Sequence, residues 1–448
     1  MKVLVVGTGK SGRSVYDYLY KHNYDVDFAD EKIVNLNEED FKNIAKDRLF
    51  CGLSFIVVSP GVSLNLPYFK EAKRQKIKIL GEMEFGAKTL KGDIIAVTGT
   101  NGKTTTVSLI NFLLKNSNKN IFCGGNIGTP VTDFCDNVKT GDITVLECSS
   151  YQLESVKKFH AHIACILNFS VDHLSRHKTL KKYIWCKNKI VKNQTEKDYL
   201  LINFDNELLM NNIPKTKAKI YYFSTKKKVV GCYVKRGCIY FNDNQKEEKL
   251  LSLKNIKLKG EHNVSNILAA VLAVYLQTNN KKILTAAENF NGVEHRIEYV
   301  KTIKEIEFYN DSKATNIDSV LVATKSFKCK INLILGGSDK GYLFDELFKN
   351  LPKNVENIAI FGETKHKIAF SANKYGYKNY VICDSLKEAT MSLFKTASKN
   401  SVILLSPACA SFDHFSNFEE RGNVFKKIVR EIDLNENDCS QNEKKNKI

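Results

Sequence analysis

The chain has 448 residues, 43% of them hydrophobic, so it is long enough for two or three domains with well-buried cores. It contains no apolar run long enough for a membrane span and no signal-peptide pattern at its start, so we expect a cytoplasmic protein that inserts into no membrane. The formal net charge is +19, but lysine is spread along the chain, and we expect no nucleic-acid partner. The 12 cysteines form no C-x-x-C pair and no zinc-type spacing with histidine, which is typical of reduced thiols.

Residues 2–30 have the pattern of a nucleotide-binding βαβ unit. A predicted strand leads into GTGKSG at residues 7–12, which fits G-x-G-x-x-G, and a second strand ends in Asp30. This motif fits a phosphate-binding turn and equally a tight turn that binds nothing. A third strand ends in Ser59, Pro60 and Gly61, at the edge where open α/β sheets bind ligands.

The strongest local signal is residues 94–106, in which an apolar run, a glycine-containing turn and a helical repeat follow one another. This order predicts a buried strand, a phosphate-binding loop and a helix that begins near Lys103. Lys103 can reach the outer phosphates, and the Thr104 hydroxyl can ligate Mg²⁺. The match to a general P-loop is incomplete, because the usual first glycine would fall at Val97 and this chain has Gly99 instead.

Further functional side chains are predicted to follow parallel strands at the same sheet edge. Glu147 ends one buried strand, where a carboxylate suits Mg²⁺, and His173 follows the next strand. A helix is predicted over residues 182–192, and it contains Lys187 and Lys189.

The second half of the chain changes its pattern twice. Residues 199–258 indicate short strands, with a hairpin across Val229–Phe241, and a helix follows residue 260. After residue 296 the βα alternation restarts, and small or polar residues follow each strand, which favours a parallel sheet with a ligand crevice. We divide the chain into domains of residues 1–91, 92–292 and 293–448, and we expect a disordered tail over about 435–448.

Six stretches in this order resemble the Mur ligase family of peptidoglycan synthesis. They are TGTNGKT (98–104), ECSSYQL (147–153), DH (172–173), EHN (261–263), EHR (294–296) and NDSKATN (310–316). The Gly99 form of the loop is the family's own. The resemblance covers nearly the whole chain and implies an α/β fold of three domains. These are a Rossmann-like UDP-binding domain, a central P-loop ATPase domain with a parallel sheet plus a small antiparallel sheet, and a C-terminal Rossmann-like domain.

Within the family, the first unit and residues 406–420 are similar to the members that add D-glutamate to UDP-N-acetylmuramoyl-L-alanine. The implied reaction uses ATP and two Mg²⁺ ions, and it makes an acyl phosphate that the amine of D-glutamate attacks. It is a cytoplasmic step of cell-wall synthesis. We expect a monomer whose C-terminal domain closes when substrates bind.

The resemblance also implies roles for individual residues. The catalytic residues are Lys103, Glu147, His173 and Lys187, and the metal ligands are Thr104, Glu147, His173 and Lys187. Lys187 matches the lysine that the family carbamylates, although Lys189 is close enough for the register to differ. ATP is assigned to Thr100, Asn101, Gly102, Lys103, Thr104, Thr105, Thr106, Asn263, Arg296 and Asp311. The UDP substrate is assigned to Lys10, Ser11, Asp30, Ser59, Gly61 and Asn126. D-Glutamate is assigned to Lys313, Thr315, Lys340, Ser411 and Phe412.

Three alternatives stay open. The same fold could add a different amino acid, or act as a folylpolyglutamate synthase. The motif at residues 7–12 could belong to an NAD-dependent oxidoreductase, although this leaves the Lys103 loop unexplained. The net charge of +19 could serve a basic nucleic-acid binder without enzymatic activity.

Overall fold

The structure is a computed structural model that describes residues 1–29, 50–258, 260–339, 341 and 343–445. The chain divides into two compact units, residues 1–256 with 262–290 and residues 257–261 with 291–448. Asp30 and Lys340, which the sequence assigns to the UDP and D-glutamate sites, lie outside the described residues. Among the described residues, no helix combines the length and the apolar character that a membrane span requires.

A four-stranded parallel sheet in the order β2-β1-β3-β4 begins the first unit. Its strands are β1 (Lys2–Val6), β2 (Asp25–Ala29), β3 (Leu53–Val58) and β4 (Lys78–Gly81), and the helices are α1 (Lys10–Lys21), α2 (Pro67–Arg74) and α3 (Glu82–Ala87). Val3 and Val5 of β1 pack with Leu19 of α1, whereas Leu4 packs on the opposite face with Phe69 of α2. Both faces of the sheet are therefore covered, as expected for parallel strands that read as continuous apolar runs.

The central sheet of the first unit has nine strands in the order β13-β12-β11-β10-β9-β8-β5-β7-β6. They are β5 (Asp93–Thr98), β6 (Ile121–Gly125), β7 (Ile143–Glu147), β8 (Ile163–Ile166), β9 (Tyr199–Asn203), β10 (Lys219–Ser224), β11 (Gly231–Lys235), β12 (Cys238–Asn242) and β13 (Glu247–Ser252). β11 and β12 form the predicted antiparallel hairpin. Because β11 also pairs in parallel with β10, the antiparallel strands continue the parallel sheet and do not form a separate one.

The helices of this region are α4 (Lys103–Leu114), α5 (Ser150–Glu154), α6 (Leu174–His177), α7 (Leu180–Asn188), α8 (Glu207–Met210) and α9 (Glu261–Thr278). Four 3₁₀ segments accompany them, Val131–Asp133, Cys135–Asn137, Lys189–Val191 and Lys281–Asn289. The predicted helix over 182–192 therefore begins earlier and ends at Asn188, where a 3₁₀ turn replaces its last residues. The β-branched pair Ile190 and Val191 weakens the helical preference there.

The second unit contains a six-stranded sheet in the order β14-β15-β19-β16-β17-β18. Its strands are β14 (Glu298–Ile303), β15 (Ile306–Asn310), β16 (Ile331–Gly336), β17 (Val355–Phe361), β18 (Tyr380–Ile382) and β19 (Val402–Leu405). Its helices are α10 (Ile317–Thr324), α11 (Asp345–Asn350), α12 (Lys365–Lys374), α13 (Leu386–Thr396) and α14 (Phe418–Lys445). All neighbours pair in parallel except β14, which forms an antiparallel edge.

The C-terminal end differs from the sequence prediction. We expect disorder after Leu434, whereas the structure continues α14 to Lys445. The stretch is rich in Asn, Glu and Lys, but it contains no Gly or Pro that would end a helix.

Candidate active site

The turn between β5 and α4 has the geometry of an anion-binding loop. Gly102 precedes the helix and has no side chain to cap it, and the first turn of α4 contains no acidic residue. The first N–H groups and the positive end of the helix are therefore available to an anion. Lys103 folds back over the loop, and its Nζ donates to the carbonyls of Gly99 and Thr100, both at 2.9 Å.

Two glycines make this turn possible. Gly99 and Gly102 have φ of +152° and +86°, in the region that disfavours side chains. A Cβ at Gly102 would lie 2.2 Å from Oδ1 of Asn266, whose amide donates to Asn263 Oδ1 at 3.1 Å. Asn263, predicted from the sequence to contact ATP, is thus brought to the loop through Asn266. The other residues predicted for the loop lie in the same turn and in the start of α4. They are Thr100 and Asn101 in the turn, and Thr105 and Thr106 in the helix.

A carboxylate lies at the start of α4. The Thr104 hydroxyl donates to Glu147 Oε2 at 2.9 Å, and the Asn126 amide donates to Oε1 at 2.8 Å. Glu147 ends β7, which pairs directly with β5, so the sheet register brings the carboxylate to the loop. Three residues that lie far apart in the chain therefore form one oxygen-rich cluster.

His173 lies after β8 with φ of +52°, a strained conformation for a non-glycine residue that is typical of functional sites. Its Nδ1 lies 3.0 Å from the Tyr151 hydroxyl, and its Nε2 lies 3.4 Å from Asp172 Oδ2. Burial lowers the pKa of His173, and the charges of Lys187 and Lys103 lower it further against the opposing effect of Asp172. The imidazole is therefore held neutral, as a metal ligand must be.

The structure separates the two lysines that the sequence left in question. Lys187 is buried, and its Nζ donates to the Gly99 carbonyl at 2.7 Å. Lys189 instead donates to the Glu154 carbonyl at 2.5 Å and lies over the Trp185 ring. Burial and then the charge of Lys103 hold the pKa of Lys187 well below its usual value. Lys187 is therefore the lysine beside the loop.

A groove of about 540 Å³ is formed by three glycine-containing turns. They are residues 7–11, 59–62 and 125–128. Five of the six residues predicted for the UDP substrate line it, Lys10, Ser11, Ser59, Gly61 and Asn126. Because Asn126 also donates to Glu147, the groove reaches the oxygen cluster.

Close backbone contacts shape this groove, and the first unit also contains a buried acid, Glu82. A Cβ at Gly12 would lie 1.7 Å from the Gly7 carbonyl oxygen, so only glycine fits there. Glu82 is buried and accepts from the Thr132 N–H at 3.1 Å and its hydroxyl at 3.2 Å. Burial raises the pKa of Glu82 to about 7.

In the second unit, Asp311 follows β15 and is buried. It accepts from the Ser406 hydroxyl at 2.7 Å and from the Ile297 N–H at 3.2 Å. Burial raises its pKa to about 7, and the opposing effects include the nearby charge of Arg296. Arg296 and Asp311, which the sequence assigns separately to ATP, are therefore close in space.

The D-glutamate candidates lie on neighbouring loops of the same unit. Arg421 is fully buried and donates through its guanidinium to the Ser312 carbonyl at 2.8 Å and to the Ala410 carbonyl at 3.0 Å. It thereby ties the loop that carries Lys313 and Thr315 to the loop that carries Ser411 and Phe412. The backbone N–H of Lys313 donates to the His295 carbonyl at 3.0 Å, Ser411 is buried, and Phe412 is 74% exposed.

Sequence reasoning missed two contributors to these sites. Tyr151 stands in the ECSSYQL stretch, but it was given no role there, because the sequence does not show that this tyrosine of α5 lines the groove and contacts His173. Arg421 had a signal, because it falls on the apolar stripe of α14 with Phe425 and Ile428, at helical spacing. A charged residue on a buried stripe needs partners, and here backbone carbonyls supply them.

Three family models match the chain. The Mur ligase MurD-like N-terminal domain matches residues 1–81, the Mur ligase middle domain matches 97–274, and the glutamate ligase domain of Mur ligases matches 295–409. The UDP-N-acetylmuramoylalanine--D-glutamate ligase of Thermoanaerobacter pseudethanolicus is 40% identical over 446 residues, which cover 96% of this chain and 98% of that protein.

Solved structures share the fold. The UDP-N-acetylmuramate-alanine ligase MurC of Thermotoga maritima has a TM-score of 0.59 at 20% identity, covering 96% of this chain and 99% of that one. The MurF ligase of the same organism, solved in complex with ADP, has a TM-score of 0.57 at 18% identity and covers 88% and 92%.

Proposed function

Because the chain belongs to the Mur ligase family, we propose that it joins D-glutamate to the L-alanine carboxylate of UDP-N-acetylmuramoyl-L-alanine with hydrolysis of ATP. The relative at 40% identity carries the name of this activity, and a structural neighbour was solved with ADP. The observation that carries the proposal is the hydrogen-bonded connection from the groove through Asn126 and Glu147 to Thr104 at the anion-binding loop. It links a nucleotide-sized groove to a phosphate site.

The residues at this loop fit a magnesium ion. The Thr104 hydroxyl and Glu147 Oε2 lie 2.9 Å apart, and adjacent ligands of an octahedral Mg²⁺ with bonds of about 2.1 Å are about 3.0 Å apart. Both donors are hard oxygens, the kind that Mg²⁺ prefers. When bound, Mg²⁺ neutralises charge on the phosphates during transfer. The loop amides hold the phosphates of ATP. Lys103 leaves the Gly99 and Thr100 carbonyls and binds the outer phosphates.

Lys187 completes a second ion site in this proposal. Its depressed pKa favours the neutral amine, which can add to CO₂. The nitrogen forms a bond to the carbon, one proton leaves, and the product is a carboxylate that can ligate a cation. Together with the neutral imidazole of His173, this carboxylate would hold the second Mg²⁺.

The proposed reaction then has two steps. The γ-phosphoryl group passes to the L-alanine carboxylate, which gives an acyl phosphate and ADP. The amine of D-glutamate attacks the acyl carbon, loses a proton and expels phosphate from the tetrahedral intermediate. The loop and Lys103 serve the first step by orienting the phosphates and balancing their charge.

The two substrates occupy the remaining candidate residues. Lys10 and the turn around Ser59 and Gly61 hold the uridine nucleotide in the groove. In the second unit, Lys313 and Ser411 serve the carboxylates of D-glutamate. Thr315 and Phe412 complete that set, and Asn263, Arg296 and Asp311 serve ATP.

The test is phosphate release by the purified chain with ATP, Mg²⁺ and UDP-N-acetylmuramoyl-L-alanine. We expect release that depends on D-glutamate and not on L-alanine, L-lysine or diaminopimelate. Lys103→Ala should abolish it, whereas Lys115→Ala, at the exposed far end of α4, should leave it unchanged. Release with another amino acid but not D-glutamate would overturn the substrate assignment, and an active Lys103→Ala variant would overturn the role of the loop.

A further inference from the structure

Three residues with metal-binding side chains meet behind the candidate active site. Glu154 ends α5, His177 ends α6, and Cys186 lies on α7. One ligand atom from each lies within 4.8 Å of the other two. His177 and Cys186 are buried, and the Glu154 side chain is 14% exposed, so solvent reaches the cluster from the Glu154 side. The ligase reaction proposed above uses none of the three.

The spacing of the atoms fits a tetrahedral ion. Cys186 Sγ lies 3.7 Å from His177 Nδ1. For Zn²⁺ with bonds of about 2.3 Å to sulfur and about 2.0 Å to nitrogen, tetrahedral geometry places these atoms about 3.6 Å apart. The sulfur and nitrogen therefore already stand at ligand spacing, and only the Glu154 carboxylate has to approach.

The histidine is also oriented as a metal ligand. His177 Nε2 lies 2.9 Å from the Ser150 hydroxyl, which is buried. Metal-binding histidines almost always give their second ring N–H to such an oxygen, which fixes the tautomer and the ring. With the proton on Nε2, the Nδ1 lone pair faces Cys186 Sγ.

We propose that Glu154, His177 and Cys186 form a binding site for a borderline-soft divalent cation of the Zn²⁺ class. The Cys186 thiol gives up its proton to solvent and binds as thiolate, so that thiolate and carboxylate balance the two charges of the ion. Glu154 keeps one oxygen 3.2 Å from Arg176 and gives the other to the metal. A water completes the coordination from the Glu154 side, where solvent reaches the cluster.

This site is distinct from the magnesium site in chemistry as well as place. Thiolate and imidazole select zinc-like ions, whereas Thr104 and Glu147 offer only hard oxygens. The sequence gives no hint of the cluster, because its residues are separated by 23 and 9 positions and follow no zinc motif.

The test uses Co²⁺ as a spectroscopic probe on the full-length chain after treatment with a chelator. We expect one equivalent of Co²⁺ to give a thiolate-to-cobalt charge-transfer band with tetrahedral ligand-field bands, and Zn²⁺ to abolish both. Co²⁺ held by oxygens alone at the magnesium site gives no thiolate band, so the readout does not depend on the ligase activity. Absence of the band from the wild-type chain would overturn the proposal.

Variants identify the ligands. Cys186→Ser should lose the band, whereas Cys51→Ser, which removes an exposed thiol, should keep it. Ser150→Ala should keep the band but bind the ion about 10–100-fold more weakly, because the histidine loses its orienting partner. Should Cys186→Ser fail to fold, the affinity of Ser150→Ala and Glu154→Gln for Co²⁺ tests the proposal instead. Weakened binding in both supports the site, and unchanged binding in both, or a band that survives in folded Cys186→Ser, refutes it.

Discussion

The side-chain amine of Lys187 is the most informative group to remove. We consider two variants, Lys187→Ala, which removes the side chain beyond Cβ, and Lys187→Met, which keeps a long apolar stem without the nitrogen. The natural side chain is 2% exposed, and its Nζ lies 2.7 Å from the Gly99 carbonyl. Both variants take away the amine that we propose is carbamylated, but only the first leaves space.

We expect two separate effects, a loss of kcat in both variants and a loss of folding stability in Lys187→Ala. Losing a group that stabilises charge in the transition state costs about 10²–10³-fold in kcat, or about 3–4 kcal/mol. Removing three methylenes in the alanine variant costs about 2 kcal/mol of folding free energy. Part of this is offset, because the cost of burying a polar amine is removed as well. Lys187→Met should therefore fold with nearly wild-type stability and lose as much activity as Lys187→Ala.

The assay is D-glutamate-dependent phosphate release, repeated with added acetate or formate. A small carboxylate can enter the space left in Lys187→Ala and replace the carbamate, so we expect partial rescue there and none in Lys187→Met. Lys189→Ala serves as the matched control, because Lys189 contacts the Glu154 carbonyl and not the loop. It should keep activity within a few fold.

Two outcomes would refute this reasoning. Wild-type turnover in Lys187→Met would show that the amine takes no part in the reaction. A loss in Lys189→Ala that acetate rescues would place the carbamate two residues further along the chain.

Three further perturbations test the buried acid Glu82, the turn at Gly12 and the magnesium site. Glu82→Gln should stabilise the fold by about 3 kcal/mol at pH 8, since a folded pKa of about 7 against 4.5 makes stability fall as pH rises between those values. Unfolding curves of Glu82→Gln and the wild-type chain should differ at pH 8 and coincide at pH 4. Gly12→Ala should destabilise the protein by about 1–3 kcal/mol, whereas Gly9→Ala, with no atom within 4 Å of its Cβ, should not. Thr104→Val should raise the Mg²⁺ concentration for half-maximal activity about tenfold, and Thr144→Val, whose hydroxyl has no partner among the described residues, should leave it unchanged.

The sequence predicted the α/β fold and the family correctly. Both are confirmed, and the D-glutamate ligase activity that it implies is the one that a 40%-identical relative is named for. The buried strands that the sequence predicts before the phosphate-binding loop and before Glu147 are present as β5 and β7, because strands buried on both faces read as nearly continuous apolar runs. The sequence analysis did not predict the edge strands β14 and β18, since β14 consists mostly of exposed or partly exposed residues and β18 has only three residues.

The candidate site was predicted as separate motifs without distances between them. Five of the six residues proposed for the UDP substrate line one groove. Four of them follow β1 and β3, neighbouring parallel strands whose ends meet at a common edge, whereas Asn126 follows β6 of the central sheet. The domain boundaries and the roles of individual residues stay predictions. Sequence patterns show which side chains follow each strand, but not which hydrogen bonds join side chains from different strand ends.

Local sequence thus determined the loop, since glycines at 99 and 102 and a lysine at 103 shape an anion site through backbone geometry alone. Only the tertiary structure chose Lys187 over Lys189, because Lys187 lies on α7 whereas Lys189 begins the 3₁₀ turn after it. One amine therefore reaches the Gly99 carbonyl of the loop and the other the Glu154 carbonyl. The tertiary structure alone also brought Cys186 to His177, since contacts between separate helices depend on packing and leave no spacing in the sequence.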